Sequence, residues 1–242
     1  AAGNRALVKM SEFTPSTATV LAELARRYFT ADELAIVEGD MAVAEAFTRL
    51  PFDHLLFTGS TAVGRHVMRA AADNLTPVTL ELGGKSPAII APDYPLEKAA
   101  ARILTGKCLN AGQTCIAPDY VFVPAGKEEA FCEAARRIVA KSYPEIVRNS
   151  DYTSIVNERH YQRLNGYLED AKARGATLVP LAEYPPVGAN QRCLPPTLIF
   201  GANDEMRVMQ DEIFGPLLPV FTYDRLDDAL AFVNRRDRPL AL

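Results

Sequence analysis

Leu55-Leu56-Phe57-Thr58-Gly59, continued by Ser60-Thr61-Ala62-Val63-Gly64, reads as a short apolar strand, a glycine turn and the opening of a helix. That helix would turn Val63, Val67, Met68 and Ala71 inward. The same order stands just upstream. Leu34 to Val37 is an apolar run that ends at Gly39, and a helix follows with Val43, Ala46, Phe47 and Leu50 on one face. Strand, glycine turn and helix thus occur twice within about fifty residues, the βαβ rhythm of a nucleotide-binding sheet whose ligands lie at the carboxyl ends of its strands.

The alternation extends both ways. Thr14-Pro15 opens a helix with an apolar stripe at Leu21, Leu24, Ala25 and Tyr28. Downstream, after Val78 to Leu82, the chain turns through Gly83-Gly84, where a domain boundary is expected, separating residues 1–84 from 85–242. Pro87 to Ala91 reads as a strand, Leu96 to Leu109 as a helix and Tyr120 to Val123 as a strand. Helical stripes follow at Phe131, Ala134, Ala135, Ile138 and at Tyr161, Leu164, Leu168, Ala171. Asn157 would cap the second of these, and Gly175 would end it. Leu217 to Tyr223 is a further strand, and Leu226, Ala229, Leu230 and Val233 form the last stripe. The fold class is α/β.

The 242 residues are 48% apolar and 23% charged, the balance of a globular chain able to build a core. Lys+Arg 26 against Asp+Glu 30 gives a net charge of −4, which argues against a nucleic-acid or anionic-membrane surface. No apolar run approaches the roughly 20 residues that span a bilayer. Ala1-Ala2-Gly3-Asn4-Arg5-Ala6 has neither the basic flank nor the apolar stretch of a signal peptide. Four scattered cysteines without C-x-x-C spacing and three isolated histidines (His54, His66, His160) argue against a zinc site and a disulfide scaffold. Free thiols in a reducing, cytoplasmic compartment are expected. Gly84-Lys85-Ser86 does not complete a phosphate-binding P-loop, because Thr79 stands where its first glycine belongs and Pro87 blocks the helix it needs. Gly59 to Gly64 lacks the middle glycine of G-x-G-x-x-G.

Asn110-Ala111-Gly112-Gln113-Thr114-Cys115-Ile116-Ala117 carries the candidate chemistry. A cysteine among small and polar residues suits an exposed thiol on a tight turn, reactive if backbone N–H groups or a cation stabilise its thiolate. From these residues alone, a buried apolar filler is an equal alternative. Cys108, Cys132 and Cys193 stand among apolar or proline neighbours and read as fillers.

Three segments, in order, resemble the signatures of the aldehyde dehydrogenase superfamily: Glu81-Leu82-Gly83-Gly84-Lys85, Gly112-Gln113-Thr114-Cys115 and Glu212-Ile213-Phe214-Gly215-Pro216. Phe57-Thr58-Gly59-Ser60-Thr61 and Lys9-Met10-Ser11-Glu12 fit the same pattern, so the resemblance covers essentially the whole chain. Ile116-Ala117-Pro118-Asp119-Tyr120 and Arg238-Pro239-Leu240-Ala241-Leu242 resemble the branch handling fatty and aromatic aldehydes, the bacterial coniferyl aldehyde dehydrogenases among it. The resemblance implies a partial Rossmann-type NAD-binding domain at 1–84 and an α/β catalytic domain at 85–242. It implies Cys115 as the nucleophile that forms a thiohemiacetal and then a thioester, with its own N–H at the oxyanion. It implies a carboxylate that activates the hydrolytic water, usually Glu81, with Glu212 on the nicotinamide ribose and Phe214 beside the ring. The division between the two glutamates stays open.

For the cofactor, Lys9 and Glu12 match the pair at the adenosine ribose hydroxyls, and Glu12 would favour NAD over NADP. Gly59 and Ser60, at a helix N-terminus, suit a pyrophosphate. Gly39, Val63, Leu82 and Gly83 complete the expected cofactor contacts. Met10 replaces a frequent proline, which would loosen the turn there. The partner is an aldehyde substrate, and the whole protein is expected to be a homodimer without metal. Two alternatives stand beside this reading: an acylating enzyme that passes the thioester to coenzyme A, against which Glu81 argues, and a non-catalytic binding or structural protein on the same fold. The family's oxyanion-hole asparagine, the first strands of the sheet and an oligomerisation segment have no counterpart within the chain. An internal piece of a longer protein is therefore expected, weakly active and self-associating when alone.

Overall fold

Strand β1 (Ala6–Lys9) lies parallel to β2 (Leu34–Val37), pairing Ala6 with Leu34 and Lys9 with Val37, and helix α1 (Pro15–Tyr28) connects them. After helix α2 (Met41–Thr48), strand β3 (Leu55–Gly59) pairs in parallel with β4 (Val78–Leu82) across helix α3 (Thr61–Ala72). A helical crossover returns the chain to the end of the sheet where the strand began, as parallel pairing requires. The computed structural model describes residues 3–186 and 192–242. Ala1 and Ala2, the first residues of the stretch without signal-peptide character, lie outside the described residues. The chain divides into two compact units, Ala1–Leu82 and Gly83–Leu242.

In the first unit the stripes predict only part of what the helices bury. On α1, Ala18, Ala22 and Ala25 are buried, while Leu21, Leu24 and Tyr28 are exposed, Tyr28 by 67%. The alanine row lets the helix approach β2 closely, and the larger side chains a quarter-turn away stay outside. On α3, Gly64, Val67 and Ala71 are buried, whereas Val63 and Met68 face solvent. A Cβ on Gly64 would stand 2.8 Å from Leu82 Cδ2, so a glycine is what seats α3 on β4. On α2, Val43 and Phe47 are half-buried, and Ala46 and Leu50 are exposed. One nucleotide-binding sheet is expected here; among the described residues there are two separate two-stranded ladders.

The second unit holds the main core. Its elements are β5 (Pro87–Ile89), α4 (Leu96–Cys108), β6 (Tyr120–Pro124), α5 (Glu128–Ser142), α6 (Glu158–Ala173), β7 (Thr177–Pro180), β8 (Thr197–Phe200), α7 (Arg207–Gln210), β9 (Leu217–Tyr223) and α8 (Leu226–Asn234). The sheet order is β5-β6-β9-β8-β7, parallel except for β7, which runs antiparallel at the edge. Val121, Val123, Leu198, Ile199 and Leu217 are fully buried in its strands, as near-continuous apolar runs require when both faces are covered. Phe131, Ala134 and Ala135 of α5 and Leu164, Leu168 and Ala171 of α6 face this core as their stripes predict. Asn157 caps α6 by accepting from the His160 N–H (2.9 Å). On α8 only Ala229 is buried; Leu226 and Leu230 are exposed. Strands β1, β7 and β8 have no counterpart in the sequence reading. No helix among the described residues is long and apolar enough to cross a membrane.

Candidate active site

Helix α4 stops at Cys108 in an unusual way. Asn110 (φ 50°), Ala111 (φ 52°) and Gly112 (φ 72°) all take left-handed backbone within the turn Leu109–Gly112. Asparagine and glycine tolerate that region, but alanine there costs about 1–2 kcal/mol. Buried Gln113 holds the turn. Its Nε2 donates to the carbonyls of Asn110 (3.0 Å) and Ser154 (3.2 Å), and its Oε1 accepts from Val156 N (2.9 Å). Asn110 Nδ2 returns a bond to the Gln113 carbonyl (3.1 Å). Gly112 has no room for a Cβ, which would overlap the Gly215 carbonyl oxygen and lie 3.0 Å from that of Lys107. The turn thus packs backbone to backbone on the loop after α7, and it lifts Cys115 into solvent.

Cys115 is exposed; Cys108 and Cys193 are buried, and Cys132 is half-buried. Burial pushes the Cys108 thiol up to about 12 and raises that of Cys193. Buried thiols of this kind stay protonated and inert at neutral pH.

Glu212 opens the loop on which Gly112 rests. Ile213 N–H donates to Asp119 Oδ2 (2.8 Å), and Lys85 Nζ binds the other Asp119 oxygen. Lys85 Nζ also donates to the carbonyls of Val208 (2.8 Å) and Asp211 (3.1 Å). The lysine of the apparent P-loop is therefore an internal clamp. A Cβ on Gly83 would overlap both carboxylate oxygens of Glu212, so Gly83 is the floor on which that carboxylate lies. Burial raises the Glu212 carboxyl above its usual range and the Asp119 charge adds to this, while a backbone hydrogen bond from Gly84 opposes both. Phe214, two residues on, has φ 45°.

The remaining predicted residues lie in the first unit. Lys9, at the end of β1, donates to the Gly39 carbonyl (2.8 Å) and stands 3.5 Å from the Glu12 carboxylate. Gly39 (φ 148°) admits Val43, whose Cβ would stand 2.8 Å from a side chain placed there. Met10 does not loosen this segment: its N–H donates to the Val37 carbonyl (3.0 Å), a bond that proline could not make. Ser60 caps α3, its Oγ accepting from Val63 N (3.4 Å) and leaving Gly59 at the mouth of the helix. Glu81 and Leu82 pair with Thr58 and Gly59 at the ends of β4 and β3, and the Glu81 side chain is exposed.

The three signatures thus carry two groups of interlocked residues, Gly83 with Glu212 and Gly112 with Gly215, and a model of the aldehyde dehydrogenase family matches residues 1–241. The chain belongs to the aldehyde dehydrogenase family. It is 59% identical over 243 residues to a Pseudomonas aeruginosa protein named probable coniferyl aldehyde dehydrogenase, covering 100% of this chain and 50% of that one. A substrate-bound Staphylococcus aureus AldH matches with a TM-score of 0.91 and 40% identity, over 99% of this chain and 51% of that chain. A Mycobacterium tuberculosis aldehyde dehydrogenase complexed with NAD+ matches at TM-score 0.82 and 35% identity, over 95% and 48%. The chain spans about half the length of the relatives it matches.

In this aldehyde dehydrogenase chain, sequence reasoning assigns no role to Gln113, Asp119, Lys107 or Arg163. Lys107 left a signal: it falls on the buried stripe of α4 with Ala100, Ile103, Leu104 and Cys108, where a charge implies an internal partner. It is 1% exposed, and burial pulls its ammonium down to about 8, partly opposed by Asp119. The unfolded chain keeps this proton up to 10.5, so between those values it binds more protons than the folded chain. Charged Lys107 therefore destabilises the fold by about 3 kcal/mol below pH 8, and the penalty fades as pH rises toward 10.5. Lys107→Met is expected to be the more stable protein in urea at pH 7, with the difference shrinking as pH rises from 8 to 10.5. A difference constant across that window would show that Lys107 keeps its proton in the fold.

Proposed function

We propose that the protein oxidises an aldehyde to its carboxylic acid with NAD, through a thiohemiacetal and a thioester on Cys115. The observation that carries this reading is the exposed Cys115 on a strained turn locked to the Glu212 loop. The Cys115 thiolate attacks the carbonyl carbon, and its own backbone N–H donates to the oxyanion that forms. Glu81 activates the water that hydrolyses the thioester, the acid leaving and the thiol returning.

The residues present fit a dinucleotide. Lys9 Nζ and the Glu12 carboxylate, 3.5 Å apart, offer a donor and an acceptor to adjacent ribose hydroxyls. Gly59 and Ser60 at the start of α3 would present N–H groups to a pyrophosphate, with Gly39 and Val63 near these groups, Leu82 ending β4 and Gly83 just after it. Glu212 would accept from the nicotinamide ribose, and Phe214 would lie beside the ring. Bound NAD supplies the hydride acceptor. Glu12 repels a 2′-phosphate, so NAD is preferred, and Glu12→Gln is expected to narrow the NAD/NADP ratio about ten-fold, or ~1.4 kcal/mol. A wild-type preference for NADP would mean that Lys9 captures the phosphate instead.

The substrate class is an aromatic or fatty aldehyde, with coniferyl aldehyde the first to try, on the strength of the name of the Pseudomonas aeruginosa relative. A cytoplasmic homodimer accompanies this proposal, to be checked by cell fractionation and sedimentation. The deciding experiment gives the intact protein an aldehyde and NAD, following NADH and the acid product. Acyl-coenzyme A as product, or NAD binding without any turnover, would overturn the hydrolytic reading.

A further inference from the structure

The Asp211–Gly215 loop is gripped from two sides. Asp119 and Lys85 hold the Ile213 N–H and the Asp211 carbonyl. Helix α6 holds the other side. Arg163 Nη2 donates to the carbonyls of Ile213 (2.8 Å) and Phe214 (3.4 Å), and Nη1 to that of Glu212 (3.3 Å) and to the Tyr167 hydroxyl (3.2 Å). The Tyr167 hydroxyl in turn donates to Asp211 Oδ2 (3.4 Å). Leu164, the next residue on α6, fills the space where Gly215 lacks a side chain.

Three consecutive carbonyls do not ordinarily face one cation, because extended backbone alternates their directions. Here Phe214 stands at φ 45°, a left-handed conformation that a phenylalanine rarely adopts without support from its surroundings. The planar guanidinium, with donors spread over a fixed fork, spans all three oxygens; an ammonium is a single point and cannot.

We propose that Arg163 is a positioning residue for dinucleotide binding: its fork holds the Glu212–Phe214 backbone in the bend that presents the Glu212 carboxylate and the Phe214 ring to the nicotinamide riboside. This rests on the dinucleotide reading above. Arg163 touches no reacting atom and acts through the loop.

The test compares the intact wild type with Arg163→Lys by hydrogen exchange at the Ile213 amide without cofactor, NAD calorimetry, steady-state kinetics and iodoacetamide alkylation of Cys115. Loss of charge-assisted hydrogen bonds of this kind should raise the NAD dissociation constant and KM about ten-fold, with kcat changed far less. Ile213 exchange should quicken in step, while Cys115 alkylation stays within about two-fold. Unchanged exchange and unchanged KM would overturn the proposal, as would equal losses in NAD affinity, Cys115 reactivity and melting temperature, the mark of a merely structural arginine. If neither protein binds NAD, the dinucleotide reading fails, while faster Ile213 exchange in the variant still upholds the clamp. Should Arg163→Lys not fold, Tyr167→Phe removes one Arg163 partner and should shift exchange and KM the same way by a smaller factor; no shift would overturn the proposal.

Discussion

Cys115→Ser in the intact protein is expected to abolish aldehyde oxidation while NAD binding and melting temperature stay near wild type. The chemistry needs a thiolate, and a serine hydroxyl at the same place is a far weaker nucleophile without an adjacent base. None of the other thiols can substitute. Cys108 and Cys193 are buried and held protonated by burial, and Cys132 lies half-buried on α5. The same geometry sets the order of modification: iodoacetamide should label Cys115 first by a wide margin, and aldehyde turnover should fall in proportion to that labelling. Equal labelling of all four cysteines in the folded protein would sink the assignment. So would substantial oxidation by the serine variant.

Glu81→Gln should show a different failure. If Glu81 activates the hydrolytic water, the first turnover survives and the thioester accumulates, so an NADH burst is followed by steady turnover lowered about 10²- to 10⁴-fold. The fold should be little affected, because Glu81 is exposed at the end of β4. Glu212 is the competing candidate, and its surroundings differ in kind: burial and the Asp119 charge raise its carboxyl, and its oxygens lie on Gly83. Loss of the burst in Glu81→Gln, or unchanged turnover, would move the base elsewhere, and the same measurement on Glu212→Gln would show whether it takes the role.

Much of the site was legible because its signals are local. The run Asn110 to Cys115, with a glycine and an asparagine before a cysteine, announces a turn whatever surrounds it, and the turn is there with left-handed backbone at Asn110, Ala111 and Gly112. The three signatures point to the family directly. What they hide is why their small residues are small. Gly83 is a glycine because Glu212 lies on it, and Gly112 because Gly215 does, contacts between residues far apart in the chain that no local rule contains.

By itself, the sequence determined the α/β alternation, the bounds of β2 and β9 and the Asn157 cap of α6. Each depends on neighbours within one helical turn or one strand, where propensity and hydrogen-bonding reach are short. The tertiary structure alone decided that α1 buries Ala18, Ala22 and Ala25 rather than its leucines, that Lys85 clamps Asp119, and that Arg163 gathers the carbonyls of Glu212, Ile213 and Phe214. The reason is the same for all three. Periodicity says which residues share a face, but close packing selects the face by which side chains let two backbones approach, and a buried charge finds its partner only once that approach is made.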